Sequence, residues 1–206
     1  MIAIINYGVG NVGSIKNMLH KLGYDSIITN NFDEINQADK LILPGVGSFD
    51  EGMSAIIKLG LVDIIRDNVL IKRKSILGIC LGMQILGLQS EEGKMQGLSL
   101  VPFVNKKFES KKIDEKNVLR VPHMGWREVK VTKTCSLTIS LELNTRFYFV
   151  HSYYVPYDEK YTCLSTEYGV LFSAAIKYDN IYGTQFHPEK SHSFGMKILK
   201  SFVESC

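Results

Sequence analysis

SILGICLGMQILGL, residues 75–88, is the stretch on which the fold turns. Its first five residues are an apolar run of strand character and MQILGL can enter a helix, so Cys80 falls at the hinge of a strand–turn–helix. Gly78 and Gly82 stand two residues either side, giving the pattern G-x-Cys-x-G. In so sharp a turn a Cβ at either flanking position would collide with the opposite arm, and glycine removes that clash while projecting the thiol above the sheet. The same turn aims the Leu81 amide toward any oxyanion formed on an acyl group attached to Cys80. The competing reading is a buried structural cysteine without chemistry.

Outward from this segment, the first half of the chain alternates short β-branched runs with segments of helical period: IAIIN, NVGSIKNMLHKLG, YDSIIT, DKLILP, GLVDIIRDNVLIKR and SILGI. That βα rhythm predicts a parallel sheet. Glycine and proline cluster at Gly8 and Gly10, at Pro44 to Gly47, and at Gly78 and Gly82, which places the sharp turns along one edge of the sheet, where open α/β sheets bind ligands. After Gly97 the pieces LVPFVNKKF, REVKVT, RFYFVHSYYV, YTCLSTEY, VLFSAAIKY and IYGTQF predict a mixed or antiparallel extension, and SHSFGMKILKSFVESC reads as a closing amphipathic helix. No repeat or linker divides the chain, so residues 1–206 are expected to form one α/β domain. Its mostly parallel central sheet would be flanked by helices, with the antiparallel extension in the second half.

With 206 residues, 45% of them hydrophobic, the chain can bury roughly 70% of its unfolded surface without staples. Twenty-four Lys and Arg against 21 Asp and Glu leave +3, too balanced to argue for a nucleic acid or a membrane. NKKFESKKIDEKN, 105–117, carries five lysines, but the interspersed acids make it a solvated loop or hairpin. Cys80, Cys135, Cys163 and Cys206 are too few and too scattered for a disulfide framework or a Cys-x-x-Cys site, which points to a reducing compartment. The opening MIAIINYGVG lacks the features of a signal peptide, and the apolar run from Ile76 to Leu88 is too short to span a bilayer. A soluble, cytoplasmic protein is expected.

Two motifs mislead. Gly8, Gly10 and Gly13 spell G-x-G-x-x-G between a strand and a helix, yet YDSIIT runs into Asn30 and Asn31 where a dinucleotide site needs an acid for the ribose. His187 and Glu189 form an H-x-E without the P-C-x-x-C that a zinc deaminase requires. Neither a nucleotide nor a metal is expected, and His20 on a helix, His123 in a turn, His151 after a strand and His192 near a helix start default to ordinary histidines.

A thiol near its reference pKa of about 8.5 is only a few per cent thiolate at neutral pH, so a catalytic Cys80 needs a base or cation beside it. His187 is the best candidate, since it follows IYGTQF at the ligand-binding edge. In extended chain His187 and Glu189 point to the same side, so that Glu189 can orient the imidazole. Pro44-Gly45-Val46-Gly47 follows the strand DKLIL and offers unobstructed backbone amides for a second oxyanion donor. Read alone, each of these last two is a plain turn.

Taken together, PGVGSF at 44–49, GICLGMQ at 78–84 and HPEKS at 187–191 resemble class I, triad-type glutamine amidotransferases, over the whole chain. Within that class, NYGVGN at 6–11, PHMGW at 122–126 and YFVHSYY at 148–154 are similar to the glutaminase subunits of imidazole glycerol phosphate synthases. The resemblance implies that Cys80 attacks the side-chain amide of glutamine, His187 protonates the departing ammonia and later activates water, and Glu189 holds His187. The amides of Val46 and Leu81 would form the oxyanion hole, after a rearrangement of the Pro44 loop. Gly45, Gly47 and Gln84, with His151, Ser152 and Tyr153, would hold the α-amino and α-carboxylate groups. Ammonia would pass to a separate cyclase subunit, a (β/α)₈ barrel bound one to one on a face carrying Met124, Trp126 and Lys190. No metal or organic cofactor is implied.

One position departs from the pattern: Arg127 stands where the family usually has asparagine. A fixed cation in place of an amide is not conservative. It leaves open a paralogous glutaminase serving another synthase, such as one that aminates a sugar. A non-hydrolysing regulatory subunit and a redox protein using the elbow cysteine are the remaining alternatives.

Overall fold

Strand alternation divides the core. In the computed structural model, which describes residues 1–110 and 119–206, β1 (Ile2–Ile5) turns Ile2 and Ile4 to one face of the sheet and Ala3 and Ile5 to the other. β3 (Lys40–Gly45) divides Leu41 and Leu43 from Ile42 in the same way, and β4 (Ser75–Cys80) divides Ile76 from Leu77 and Ile79. Both faces of a parallel sheet must therefore be covered.

On the first face lie α1 (Val12–Lys21), through Ile15 and Leu19, and α6 (His192–Ser205), through Ile198, Leu199 and Phe202. The second is covered by α2 (Phe32–Gln37), α3 (Phe49–Lys58), α4 (Leu61–Arg66) and α5 (Leu81–Ile85), which contribute Ile35, Met53, Ile56, Leu61, Ile65 and Met83. β2 (Ser26–Thr29) lies beside β1.

The second half adds β5 (Gln89–Ser90), β6 (Val104–Lys107), β7 (His123–Glu128), β8 (Lys130–Val131), β9 (Arg146–His151), β10 (Tyr153–Tyr154), β11 (Thr162–Glu167), β12 (Leu171–Tyr178) and β13 (Ile181–Thr184). The main sheet runs β2-β1-β3-β4-β13-β12-β11-β8. It is parallel from β2 to β13 and antiparallel beyond, as the sequence predicts. β5, β6 and β10 form a small second sheet, and β7 and β9 an antiparallel ribbon.

Several expectations are corrected in detail. GLVDIIRDNVLIKR is not one regular helix, because α4 gives way to a π-helical turn over Asp67–Ile71. His123 opens strand β7 rather than sitting in a turn, and REVKVT divides between β7 and β8. The chain from His187 to Glu189 is not extended: Pro188–Lys190 is a turn of 3₁₀ helix. The lysine-bearing segment 105–117 lies partly outside the described residues.

Candidate active site

β4 and β13 are adjacent parallel strands, and the candidate nucleophile and base follow their C-terminal ends. Cys80 closes β4 and caps α5 with φ 53°, ψ −108°, a conformation that L-residues adopt only under constraint. The flanking glycines explain how it is held. A Cβ on Gly82 would lie 1.8 Å from the Leu43 carbonyl oxygen, and one on Gly78 would lie 2.7 Å from the backbone of Met83. The elbow is thus closed against backbone on both arms, as the G-x-Cys-x-G pattern predicts.

His187 is fully buried, and its Nδ1 pairs with Glu189 Oε1 at 2.8 Å. The 3₁₀ turn, rather than extended chain, brings the two together, since it curls Glu189 back beneath the ring. Nε2 is left buried with no hydrogen-bond partner among the described residues, in the same pocket as the Cys80 thiol. Burial opposes the imidazolium, but the charges of Cys80 and Glu189 outweigh it and raise the His187 pKa to about 10. A cationic imidazole in a thiol's pocket is the setting that activates cysteine nucleophiles.

These groups open into a cavity of about 250 Å³. It suits a substrate the size of an amino acid and is too small for a dinucleotide. Val46, Gly47, Cys80, Leu81, Gln84, His151, Ser152, Tyr153 and His187 line it, so most of the sequence-derived residues converge. Glu189 stands behind His187, its side chain only 2% exposed. Gly45 lies beneath the pocket, where a Cβ would meet the Tyr7 hydroxyl, Leu81 and Gly82. Gln84 donates from Nε2 to the Tyr153 carbonyl at 2.8 Å and to Gln185 Oε1 at 3.1 Å. The Gln185 amide nitrogen is 3.8 Å from Cys80 Sγ.

Met124, Trp126 and Lys190 lie outside the pocket, on the surface beside it. Trp126 stacks on His192, and both Trp126 and Lys190 pack against Tyr148 of β9. β9 also accepts the His187 amide through the Tyr148 carbonyl and passes the Val150 carbonyl 3.9 Å from Cys80 Sγ. Arg127 sits over the Tyr168 ring at 5.1 Å.

Sequence reasoning missed two contributors. Glu92 lines the cavity, with Oε2 accepting the Phe49 amide at the start of α3. Burial, with Asp50 and Glu51 nearby, raises its pKa against that hydrogen bond. Nothing in SEEGKMQG separates this acid from its neighbours. Tyr7 is buried and donates its hydroxyl to the Pro44 carbonyl at 2.6 Å. At Gly10, from the would-be dinucleotide motif, a Cβ would stand 3.2 Å from Pro44 and Gly45, so that turn lies close against the Pro44 loop. Among the described residues no group of three or more His, Cys, Asp or Glu side chains could hold a metal, and no helix is long and apolar enough to cross a membrane.

Residues 3–206 match the family model for glutamine amidotransferase class-I. The chain is 53% identical over 205 residues to "Imidazole glycerol phosphate synthase subunit HisH 2" of Methanococcus maripaludis, covering 99% of each chain. It is 48% identical to the protein of the same name from Pseudomonas aeruginosa, again over 99% of both. Subunit HisH of Leptospira borgpetersenii is 43% identical, over 98% of this chain and 99% of that one. In structure the chain resembles a crystal structure described as a glutamine amidotransferase, with TM-score 0.74, 15% identity and coverage of 99% and 98%. It also resembles PurLQS from Thermotoga maritima, with TM-score 0.70, 18% identity and coverage of 98% and 96%.

Proposed function

The chain belongs to the class I glutamine amidotransferases, and from that premise we propose that it is the glutaminase subunit of an imidazole glycerol phosphate synthase, acting in histidine biosynthesis in the cytoplasm as one domain over 1–206. The observation that carries the chemistry is Cys80 on its constrained elbow in one pocket with a His187 that Glu189 holds at 2.8 Å.

The Cys80 thiolate attacks the side-chain amide carbon of glutamine, and the oxygen takes up the negative charge of the tetrahedral intermediate. The backbone amides of Leu81 and Val46 receive that oxyanion; a single such donor contributes about 3 kcal/mol to the transition state. Imidazolium His187 gives its Nε2 proton to the departing nitrogen, the C–N bond breaks to release ammonia, and the acyl carbon stays on Cys80 Sγ as a thioester. Neutral His187 then removes a proton from water as the water attacks the thioester, and collapse of the second intermediate releases glutamate and restores the thiolate–imidazolium pair. Glu189 keeps the ring oriented throughout. The Glu92 carboxylate is placed to receive the α-ammonium of glutamine, and the Gln84, Ser152 and Tyr153 side of the pocket faces the rest of the α-carbon's substituents. The partner is a (β/α)₈ cyclase barrel, bound one to one on the face that carries Met124, Trp126 and Lys190, which takes the ammonia directly.

The test is glutamate production by the chain alone, then with an imidazole glycerol phosphate synthase cyclase subunit and its nucleotide substrate, with Cys80→Ala as blank. Strong stimulation by the cyclase and loss of all activity in Cys80→Ala, with the complex intact, are expected. Substantial activity in Cys80→Ala would overturn the nucleophile assignment. No stimulation, with Cys80 still labelled by a diazo-ketone glutamine analogue, would move the chain to another synthase, the reading that Arg127 leaves open.

A further inference from the structure

Two buried histidines outside the catalytic group face each other across the β7–β9 ribbon. His123 and His151 are direct cross-strand partners, both at most 6% exposed, with His123 Nδ1 3.0 Å from His151 Nε2. The other nitrogen of His151, Nδ1, lies 2.8 Å from the Tyr153 carbonyl. A carbonyl only accepts, so His151 Nδ1 carries a proton. Burial, then the neighbouring His123, hold the His151 pKa down at about 3, and burial, then Arg127, hold that of His123 at about 4. Both rings are thus neutral, and a neutral ring has one proton. His151 Nε2 is therefore a lone pair, and His123 Nδ1–H must donate to it.

The chain of donors has one direction: His123 to His151, and His151 to the Tyr153 carbonyl, which also receives Gln84 Nε2. Tyr153, Ser152 and His151 form one wall of the glutamine pocket. Phe108, Phe149 and Phe172 enclose the His151 ring with centroids 5.3–5.7 Å away and offer it no hydrogen-bond acceptor. His123 in turn stacks on Tyr168 at 4.1 Å and on Phe149 at 5.1 Å, so its own ring plane is fixed.

We propose that His123 is a positioning residue for glutamine binding: its Nδ1–H fixes the tautomer and orientation of His151, and through His151 the Ser152–Tyr153 wall of the pocket. This rests on the glutaminase reading, and His123 itself touches neither substrate nor nucleophile. An asparagine amide nitrogen falls near the position of histidine Nδ1, whereas a glutamine amide nitrogen falls near Nε2. His123→Asn therefore retains the donor, while His123→Gln misplaces it and His123→Phe removes it.

The experiment measures glutamine Kd by calorimetry in the full-length Cys80→Ala background, and KM and kcat with Cys80 present. In His123→Phe and His123→Gln, Kd and KM should rise about tenfold, the equivalent of one buried hydrogen bond, with kcat within about threefold. His123→Asn should return both to within about threefold of the parent. Unchanged affinity in the Phe and Gln variants would overturn the proposal. Equal loss in His123→Asn, or a fall in kcat at constant KM, would do the same. If His123→Phe fails to fold, as its urea midpoint would reveal, the Asn and Gln pair decides the matter. Failure of the Cys80→Ala parent to bind glutamine would count against the glutaminase reading instead.

Discussion

Replacing Gly82 by alanine tests the elbow against the rest of the fold. The added Cβ would stand 1.8 Å from the Leu43 carbonyl oxygen, where such atoms do not approach within 3.0 Å, so at least 1.2 Å must be opened. Neither arm can yield cheaply. Leu43 belongs to β3, which is paired on both sides by β1 and β4, and Gly82 lies in the first turn of α5, packed against it. Overpacking of a core costs about 1–3 kcal/mol, and a clash of backbone with backbone belongs at about 3 kcal/mol, a large part of a typical total of about 5–15 kcal/mol. With a urea m-value of about 2 kcal/mol per molar, the midpoint should fall by about 1.5 M. Gly13→Ala is the control, because that glycine is exposed in α1 and a Cβ there meets nothing within 4 Å. It should be neutral or stabilise by about 0.5 kcal/mol. Equilibrium unfolding followed by circular dichroism reads both variants. A Gly82→Ala midpoint within about 0.3 M of the parent would refute the steric account of the elbow, and with it the reason given for the backbone of Cys80.

Two further outcomes are expected. Glu189→Gln removes the buried carboxylate that supports the His187 cation, so kcat for glutamine hydrolysis should fall by about 10²-fold or more, with substrate affinity retained; a fall below tenfold in steady-state kinetics would deny Glu189 that role. Stability should decline on both sides of neutrality. His123 and His151, held at about 4 and about 3, take up protons far more readily in the unfolded chain, so their contribution is complete above about pH 6.5 and is lost as pH drops toward 4. For His123 alone this amounts to about 3 kcal/mol. His187, raised to about 10, contributes in the opposite sense: its share is complete below about pH 6.5 and is lost as pH climbs toward 10. Urea midpoints that stay level from pH 7 to 4.5 would contradict the acid limb.

The elbow and the parallel half of the sheet were legible because they are written in local sterics and in strand alternation. Gly78 and Gly82 have no other reason to flank Cys80, and after their first residues Lys40 and Ser75 the strands β3 and β4, like β1, carry no polar side chain but the Cys80 thiol, as strands covered on both faces must. β7 was not legible. Among the described residues it pairs only with β9, and most of its side chains are at least partly exposed, so no alternation marks His-Met-Gly-Trp as strand, and Pro122 before it with Gly125 within it mimics a turn. The 3₁₀ turn at Pro188 was missed for a similar reason: in sequence, a residue spacing of two fits an extended chain as well as a tight one. Glu92 was hidden because its place in the pocket comes from a hydrogen bond to Phe49, far away along the chain. Cys80, His187, Glu189 and the Pro44 loop were read from motifs and the rest of the pocket lining from the family resemblance, and what escaped depends on segments that meet only in three dimensions.

The position of β13 in the sheet bears on how the protein is made. It occupies the middle, between β4 and β12, although it comes last in chain order among the described strands and so leaves the ribosome after both its neighbours. Until it inserts, β4 presents one unpaired edge, and the thiol at its tip lacks the imidazole of His187, which follows β13. A growing chain therefore carries Cys80 before the histidine that shares its pocket is in place. The same interval leaves an apolar strand edge open to neighbouring chains. Chaperone dependence should accordingly be concentrated in the period just before β13 docks, and the β4 edge that ends in Cys80 is the place where misassembly would begin.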